Sequence, residues 1–100
     1  MKRLVILAGC LLSLSAYAYA EGKASEGQRR SATCATCHSA NGNEPIKNYP
    51  KLAAKNYDYL INALKAYQSG DRLHSAMHAI ALDLTDQDVE NLAAFYAKQE

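Results

Sequence analysis

The sequence has little excess charge of either sign: 11 lysine and arginine residues stand against 10 aspartate and glutamate residues, a formal net charge of +1. Nucleic-acid-binding domains usually carry a marked basic excess, so nucleic acid is not expected as the main partner. Alternating runs rich in Val, Ile and Thr are also absent, which argues against β-strands. Repeats, low-complexity tracts and linkers are missing too, so a second domain is not expected.

The apolar run near the N-terminus is too short to span a bilayer, which takes about 20 apolar residues. A basic start at residues 1–3, an apolar core at residues 4–12 and the ending Ala18-Tyr19-Ala20 are the parts of a secretory signal peptide. We therefore expect residues 1–20 to be cleaved and residues 21–100 to form one exported domain. The expected compartment is a bacterial periplasm, without membrane insertion after cleavage.

An alternative processing site lies inside the same segment. Leu7-Ala8-Gly9-Cys10 resembles a lipobox, in which Cys10 would be lipidated and tether the protein to a membrane. The apolar run continues past Cys10, however, and only six residues separate Cys10 from Arg3. Signal regions usually place about 7–15 apolar residues before the cut, so cleavage after Ala20 is favoured.

The mature domain has 80 residues, with nine basic and ten acidic side chains. A chain this short buries little core and often needs a disulfide or a metal to stabilise it. Its pattern is helical: Ser25 and Gln28 match a capping box for a first helix that runs towards Cys34. The segment from Asn41 to Pro50 is expected to be a loop, because glycine and two prolines interrupt it.

Two more helices are predicted farther along the chain. One follows Asn56, shows an apolar face and ends at Ser69-Gly70, and the other begins after a cap at Thr85. Residues 73–84 form a looser apolar segment between them. The apolar face of the first of these helices consists of Tyr57, Leu60, Ile61, Leu64 and Tyr67. The predicted fold class is all-α, a small domain of three or four helices.

Cys34-Ala35-Thr36-Cys37-His38 is a C-x-x-C-H motif, the attachment signature of a c-type haem. Cysteines three positions apart at the end of a helix lie on one side and can reach two vinyl groups of one porphyrin. His38 would then bind the iron, while its other ring N–H donates to an acceptor that fixes the ring. A backbone carbonyl from the loop between Pro45 and Pro50 is the expected acceptor. The predicted cofactor is one covalently bound haem c.

Three other interpretations compete with haem at this motif. A disulfide between Cys34 and Cys37 suits an exported protein but gives His38 no role. A thioredoxin-like redox pair would require a βαβ context, which the helical pattern does not provide. A zinc site could combine the two cysteines with His74 and His78, but 36 residues separate the pairs, more than the roughly 12–15 of finger-type sites.

The residues leave the second axial ligand of the iron open. Met77 is the only methionine after residue 20 and lies 39 residues beyond His38, far enough to fold back over a haem. A His/Met pair is usual in electron-transfer haems, and methionine raises the reduction potential. His74 or His78 would instead give bis-histidine ligation.

Several motifs in order, from Gly27 to Lys98, resemble the class I cytochromes c, most closely the bacterial cytochrome c4/c553/c5 group. The matching residues are Gly27, Cys34 to His38, Gly42-Asn43, Tyr49-Pro50-Lys51-Leu52-Ala53, Tyr59-Leu60, Ser69-Gly70-Asp71-Arg72, Met77, Leu84-Thr85-Asp86-Gln87-Asp88 and Leu92-Ala93-Ala94-Phe95-Tyr96. Family members often carry Gly-Gln where this chain has Ala54 and Lys55.

The resemblance implies a small cytochrome c fold with Met77 as the second axial ligand. It also implies that the first and last helices cross at Gly27, where Phe95 or Tyr96 approaches. Tyr49 and Arg72 are candidates for binding the haem propionates, with an exposed cation at a helix end as the alternative role of Arg72. Lys47, Lys51 and Lys55 could steer an acidic partner, with ordinary solubility as the alternative role of these lysines. The residues expected to wrap the haem are Ile46, Leu52, Leu60, Ile61, Leu64, Ile80, Leu82 and Leu92.

The function expected from the resemblance is non-enzymatic: a carrier of single electrons between redox proteins, such as a membrane complex, an oxidase, a reductase or a dehydrogenase. The first alternative is a haem subunit held permanently in a larger oxidoreductase, for example with a flavoprotein dehydrogenase. A ligand-sensing haem protein is a further alternative, and it would require Met77 to be absent from the iron.

Overall fold

The computed structural model describes residues 21–46 and 48–100, so the predictions for residues 1–20, for Cys10 and for Lys47 fall outside the described residues. Within them the chain forms five α-helices and no strands, which confirms the all-α class but exceeds the predicted three or four helices. The helices are α1 (Ala24–Arg30), α2 (Ala32–His38), α3 (Tyr57–Ser69), α4 (Ser75–Leu82) and α5 (Asp86–Ala97).

The first helix begins earlier than the sequence predicts. The N–H of Gly27 donates to the carbonyl of Lys23 at 3.0 Å, so Lys23 is the N-cap, and no side chain caps the helix. The predicted capping box at Ser25 is therefore wrong. The backbone N–H of Lys23 instead donates to the Asn91 side chain on α5 at 2.8 Å, so a long-range contact fixes the start of the helix.

A break at Ser31 divides the first predicted helix in two. The N–H of Ser31 donates to the carbonyl of Gln28 at 3.2 Å, and its hydroxyl donates to the same oxygen at 2.8 Å. Local bonding of this kind lets serine compete with the helical hydrogen-bond ladder. As a result α2, which carries the C-x-x-C-H motif, is a separate short helix.

The helices predicted after Asn56 and Thr85 are confirmed. The Asn56 side chain accepts from the N–H of Tyr59 at 3.0 Å, and Gly70 ends α3 in the left-handed conformation with φ of 88°. Thr85 and Asp88 form a reciprocal capping box at the start of α5. The looser apolar segment between them contains α4, whose N-cap is His74.

The core centres on α5, which packs against α1 and α3, while α4 packs on α3. Val89, Leu92 and Ala93 are almost fully buried, and Phe95 and Tyr96 join them. α1 crosses α5 at Gly27, where a Cβ atom would lie 2.8 Å from the Phe95 Cβ. This confirms the close approach implied by the resemblance. Within residues 21–46 and 48–100, none of the helices is long and apolar enough to cross a membrane.

Candidate functional site

A cavity of about 520 Å³ lies between α2, the loop after it and helices α3, α4 and α5. This volume falls within the range of roughly 300–1,000 Å³ that is typical of sites for organic ligands and cofactors. We call it the main cavity. Its lining includes the C-x-x-C-H side chains Cys34, Cys37 and His38 together with Met77.

The two cysteines lie on α2 as free, half-buried thiols. Their spacing of three residues places both on one face of the helix, and both line the main cavity. Burial raises the pKa of the Cys34 thiol, and the nearby Tyr96 hydroxyl and Arg30 guanidinium offset this only in part. The two sulfurs are not joined in a disulfide in this structure.

His38 is buried, with 7% of its surface exposed, and its ring orientation is fixed by the following loop. Its Nδ1 lies 2.7 Å from the backbone carbonyl of Pro50. A carbonyl can only accept, so Nδ1 carries the proton and Nε2 keeps a lone pair for a metal. This contact confirms the prediction that the loop between Pro45 and Pro50 supplies the acceptor.

That loop is held by backbone hydrogen bonds at both ends. The N–H of Ile46 donates to the carbonyl of Cys37 at 3.0 Å, and the N–H groups of Leu52 and Ala53 donate to the carbonyl of Gly42 at 2.9 and 3.2 Å. The N–H of Ala54 donates to the carbonyl of Tyr96 at 3.0 Å, which ties the end of the loop to α5. The loop thus places the Pro50 carbonyl relative to both α2 and α5.

Met77 lies in the first turn of α4, is half-buried and lines the main cavity together with Ile80. A thioether sulfur and an imidazole nitrogen therefore border the same space. Histidine and methionine are ligands that haem iron accepts together in electron-transfer proteins. The donor set of this cavity thus fits a haem with two thioether attachments and two protein ligands.

The sequence-predicted propionate candidates also line the main cavity. The Tyr49 ring lies 6.1 Å from the His38 ring and 6.2 Å from the His74 ring, measured between centroids. The guanidinium of Arg72 sits 4.7 Å from the centre of the Tyr67 ring. Lys51 and Lys55 line the same cavity, whereas none of its lining residues is an aspartate or glutamate. This lining suits a cofactor that carries carboxylate groups.

The four zinc candidates do not come together. His74 lines the main cavity, but His78 does not, and the His78 Nδ1 lies 2.7 Å from the carbonyl of Tyr67. In the described part of the chain, no group of three or more His, Cys, Asp or Glu side chains could hold a metal ion. The zinc interpretation is therefore wrong for this structure.

The apolar lining differs in part from the prediction. Leu52, Leu60, Leu64, Ile80 and Leu92 line the main cavity, as expected. Ile46 and Leu82 are instead 47% and 59% exposed, and Ile61 packs against the helical core. Leu82 is two residues beyond Ile80, about 200° around the helix, so it faces away when Met77 and Ile80 face the cavity.

Tyr59, Tyr67 and Tyr96 also line the main cavity, a position that the sequence pattern alone did not predict for them. Tyr67 was placed on the apolar face of α3, and that periodicity was the signal that could have found it. The Tyr96 hydroxyl is buried near the Cys34 thiol and the Ser31 hydroxyl but has no hydrogen-bond partner of acceptable geometry. Burial is the main reason that the pKa of Tyr96 is raised well above its ordinary value.

The chain resembles known proteins in sequence over most of its length. Residues 22–95 match the family described as cytochrome c oxidase, cbb3-type, subunit III. The whole chain is 36% identical over 100 residues to cytochrome c4 from Pseudomonas aeruginosa, of which it covers 50%. It is 34% identical over 82 residues to cytochrome c-554(548) from Halomonas halodenitrificans, covering 79% of this chain and 99% of that protein.

Among solved structures, reduced recombinant cytochrome c4 from Pseudomonas stutzeri matches with a TM-score of 0.74 at 34% identity. The match covers 79% of this chain and 46% of that one. The chain thus spans about half the length of the cytochrome c4 relatives that it matches and nearly all of cytochrome c-554(548).

Proposed function

This chain belongs to the cytochrome c family, and we propose that its mature form carries single electrons between redox proteins through one covalently bound haem. The family and the all-α cytochrome fold agree with the resemblance that the motifs carried. The observation that supports the proposal best is the main cavity itself. It brings the C-x-x-C-H motif and Met77 to one site, although Met77 lies 39 residues beyond His38 in the sequence.

The proposed attachment uses the two cysteine thiols. Each thiol would add across one vinyl group, so that sulfur would bond to one carbon and the thiol proton would pass to the other. The addition needs no oxidant. Because Cys34 and Cys37 lie on one face of α2, the same short helix can hold both bonds and present His38 directly after them.

The proposed iron ligands are the His38 Nε2 and the Met77 sulfur. When bound, the haem supplies an iron centre that gains and loses one electron. The hydrogen bond from His38 to the Pro50 carbonyl fixes the ring and increases its basicity. If the His38 Nε2 and the Met77 sulfur held the iron, small molecules would find no free coordination site, which would favour electron transfer over catalysis or ligand sensing.

Tyr49 and Arg72 are proposed to bind the haem propionates. Arg72 is half-buried, its charge is stabilised by the face of Tyr67, and it borders the main cavity. A cation in this position would offset a carboxylate that is partly shielded from water. The proposed compartment is the periplasm, with Glu21 as the first mature residue.

The proposed partners are soluble or membrane-bound redox proteins, and Lys51 and Lys55 are proposed to steer those with acidic surfaces. Both lysines are exposed and line the main cavity. Complementary charge of this kind mainly raises the association rate, and salt weakens it. Replacing both lysines by glutamine should therefore slow electron transfer to an acidic partner at low salt. Rates unchanged at every salt concentration would remove this role.

The function is tested on protein matured in a periplasm. We expect haem that stays bound after denaturation, one reversible one-electron wave in potentiometric titration, and a mature mass that begins at Glu21. Cys34→Ser combined with Cys37→Ser should release the haem on denaturation, whereas Thr36→Ser, between the cysteines, should not. Haem that washes out of the unaltered protein would contradict the attachment, and constant co-purification with an enzyme would favour the subunit alternative over the free carrier.

A further inference from the structure

The haem site leaves the two histidines of α4 without a role. His74 and His78 lie on either side of Met77 in the sequence, and α4 has only eight residues. Isolated helices shorter than about 12 residues are marginal in water, so α4 depends on contacts outside its own hydrogen-bond ladder. The two histidines supply such contacts.

His74 is the N-cap of α4. Its backbone is extended, with φ of −167° and ψ of 111°, and its Nδ1 accepts a hydrogen bond from the backbone N–H of Met77 at 3.2 Å. Since an N–H can only donate, Nδ1 of His74 is the unprotonated nitrogen. The first turn of a helix has N–H groups without partners, and this cap satisfies the one that belongs to Met77 itself.

His78 fixes the same turn to α3. Its Nδ1 lies 2.7 Å from the carbonyl of Tyr67, which is one of the last four carbonyls of α3 and has no acceptor role inside that helix. A carbonyl only accepts, so His78 donates from Nδ1, the opposite role to that of His74. At the far end of α4, the Gln68 side chain donates to the carbonyls of Ala81 and Leu84 at 2.9 and 3.3 Å.

We propose that His74 and His78 are positioning residues that hold the backbone of Met77 at the main cavity, and so set how readily Met77 leaves the iron. This inference rests on the proposed role of Met77 as a ligand. His74 borders the cavity with Nδ1 engaged by Met77, and His78 lies outside the cavity lining. The pair therefore secures the methionine rather than competing with it.

The test is the affinity of the ferric protein for added imidazole, a ligand that can bind iron only after Met77 leaves. When the competent state is a minor one, the apparent dissociation constant falls in proportion to the rise in its population. Loss of an N-cap destabilises a helix by an amount that corresponds to about a fivefold change in an equilibrium constant. We therefore expect His74→Ala to bind imidazole about fivefold more tightly, and His78→Ala to shift affinity in the same direction.

Asparagine supplies the matched rescue at both positions, because its side-chain oxygen or nitrogen can take the place of Nδ1. His74→Asn and His78→Asn should return the affinity close to that of the unaltered protein. Thr85→Ala is the control for general destabilisation, since it removes a cap on α5 and leaves α4 untouched. It should lower the unfolding midpoint without changing imidazole affinity.

The outcomes separate this inference from the function on which it rests. A ferric protein without a sulfur-to-iron charge-transfer band would overturn the role of Met77 as ligand and this inference with it. If that band is present, and His74→Ala and His78→Ala bind imidazole no more tightly than Thr85→Ala, the positioning role alone is overturned. Tighter binding that asparagine does not reverse would also overturn the hydrogen-bond explanation.

Discussion

Three histidines of this protein use the same ring nitrogen in two different ways. Nδ1 of His38 and of His78 donates to a carbonyl, whereas Nδ1 of His74 accepts from the Met77 N–H. The hydrogen bond of His38 leaves its Nε2 able to bind a metal. The hydrogen bonds of His74 and His78 instead fix the position of α4. The surrounding backbone therefore assigns each imidazole its chemistry.

Ala54 stands in a backbone conformation that suits glycine, with φ of 61°. A left-handed conformation costs a residue with a Cβ about 1–2 kcal/mol. We expect Ala54→Gly to raise the free energy of unfolding by roughly 0.5–1 kcal/mol, because relief of strain exceeds the added entropy of the unfolded glycine chain. Chemical denaturation measures the change. The neighbouring Ala53→Gly should destabilise instead, since Ala53 is buried and not left-handed; equal losses in both variants would contradict the account.

Because the Tyr96 hydroxyl is buried, we expect the free energy of unfolding to fall at alkaline pH. Its raised pKa means that the folded protein keeps the proton, while the unfolded chain loses it above a pH of about 10. Ionisation therefore favours the unfolded chain as pH rises. Tyr96→Phe should be close to neutral at pH 7, within about 1 kcal/mol, and should lose less stability than the unaltered protein above pH 10. If the free energy of unfolding changes equally with pH in the unaltered protein and in Tyr96→Phe from pH 7 to 11, this explanation is contradicted.

At the scale of elements, two similar sequence patterns start helices differently. Thr85 and Asp88 form a capping box, but Ser25 lies inside α1 because the backbone of Lys23 is bound to Asn91. Local sequence was sufficient to predict α3 and α5, whose caps lie within each segment. It could not predict the start of α1 or helix α4, since contacts from other parts of the chain stabilise them. The break at Ser31 arises from the bonds of Ser31 back to the Gln28 carbonyl, which the helical pattern of apolar residues does not reveal.

The different roles of Thr85 and Ser25 at the starts of α5 and α1 can be measured as changes in the free energy of unfolding. Thr85→Ala should lower the free energy of unfolding by about 1 kcal/mol, while Thr85→Ser should retain most of it. Ser25→Ala is the matched control, and we expect a change within about 0.5 kcal/mol because Ser25 is exposed and caps nothing. A loss at Ser25 as large as that at Thr85 would show that α1 begins where the sequence pattern placed it.

At the scale of the whole molecule, the site depends on segments that are far apart in sequence. The motif predicted Cys34, Cys37 and His38, and the resemblance added Met77. The errors at Ile46, Ile61 and Leu82 arose because apolar character alone does not tell which side of an element faces a cavity. Only the packing of α3, α4 and α5 decides that, and it also brought three tyrosines into the lining.

The same packing depends on the crossing of α1 and α5. A Cβ at Gly27 would lie 2.0 Å from the backbone oxygen of Asn91, an atom that cannot move without displacing α5. We expect Gly27→Ala to lower the free energy of unfolding of the haem-loaded protein by roughly 1–3 kcal/mol. The exposed neighbour Gln28→Ala should change it by less than about 0.5 kcal/mol. Denaturant titration compares them, and equal midpoints would contradict the close crossing.

His38 and Met77 are proposed to occupy both axial positions of one covalently bound haem. The most direct measurement is the absorption spectrum of the periplasmically matured protein, ferric and ferrous, extended into the near infrared. We expect a c-type ferrous spectrum and a weak ferric sulfur-to-iron charge-transfer band, with the band lost in Met77→Ala. A haem spectrum that lacks this band in the unaltered protein would contradict the claim and point to a histidine ligand or an open iron site.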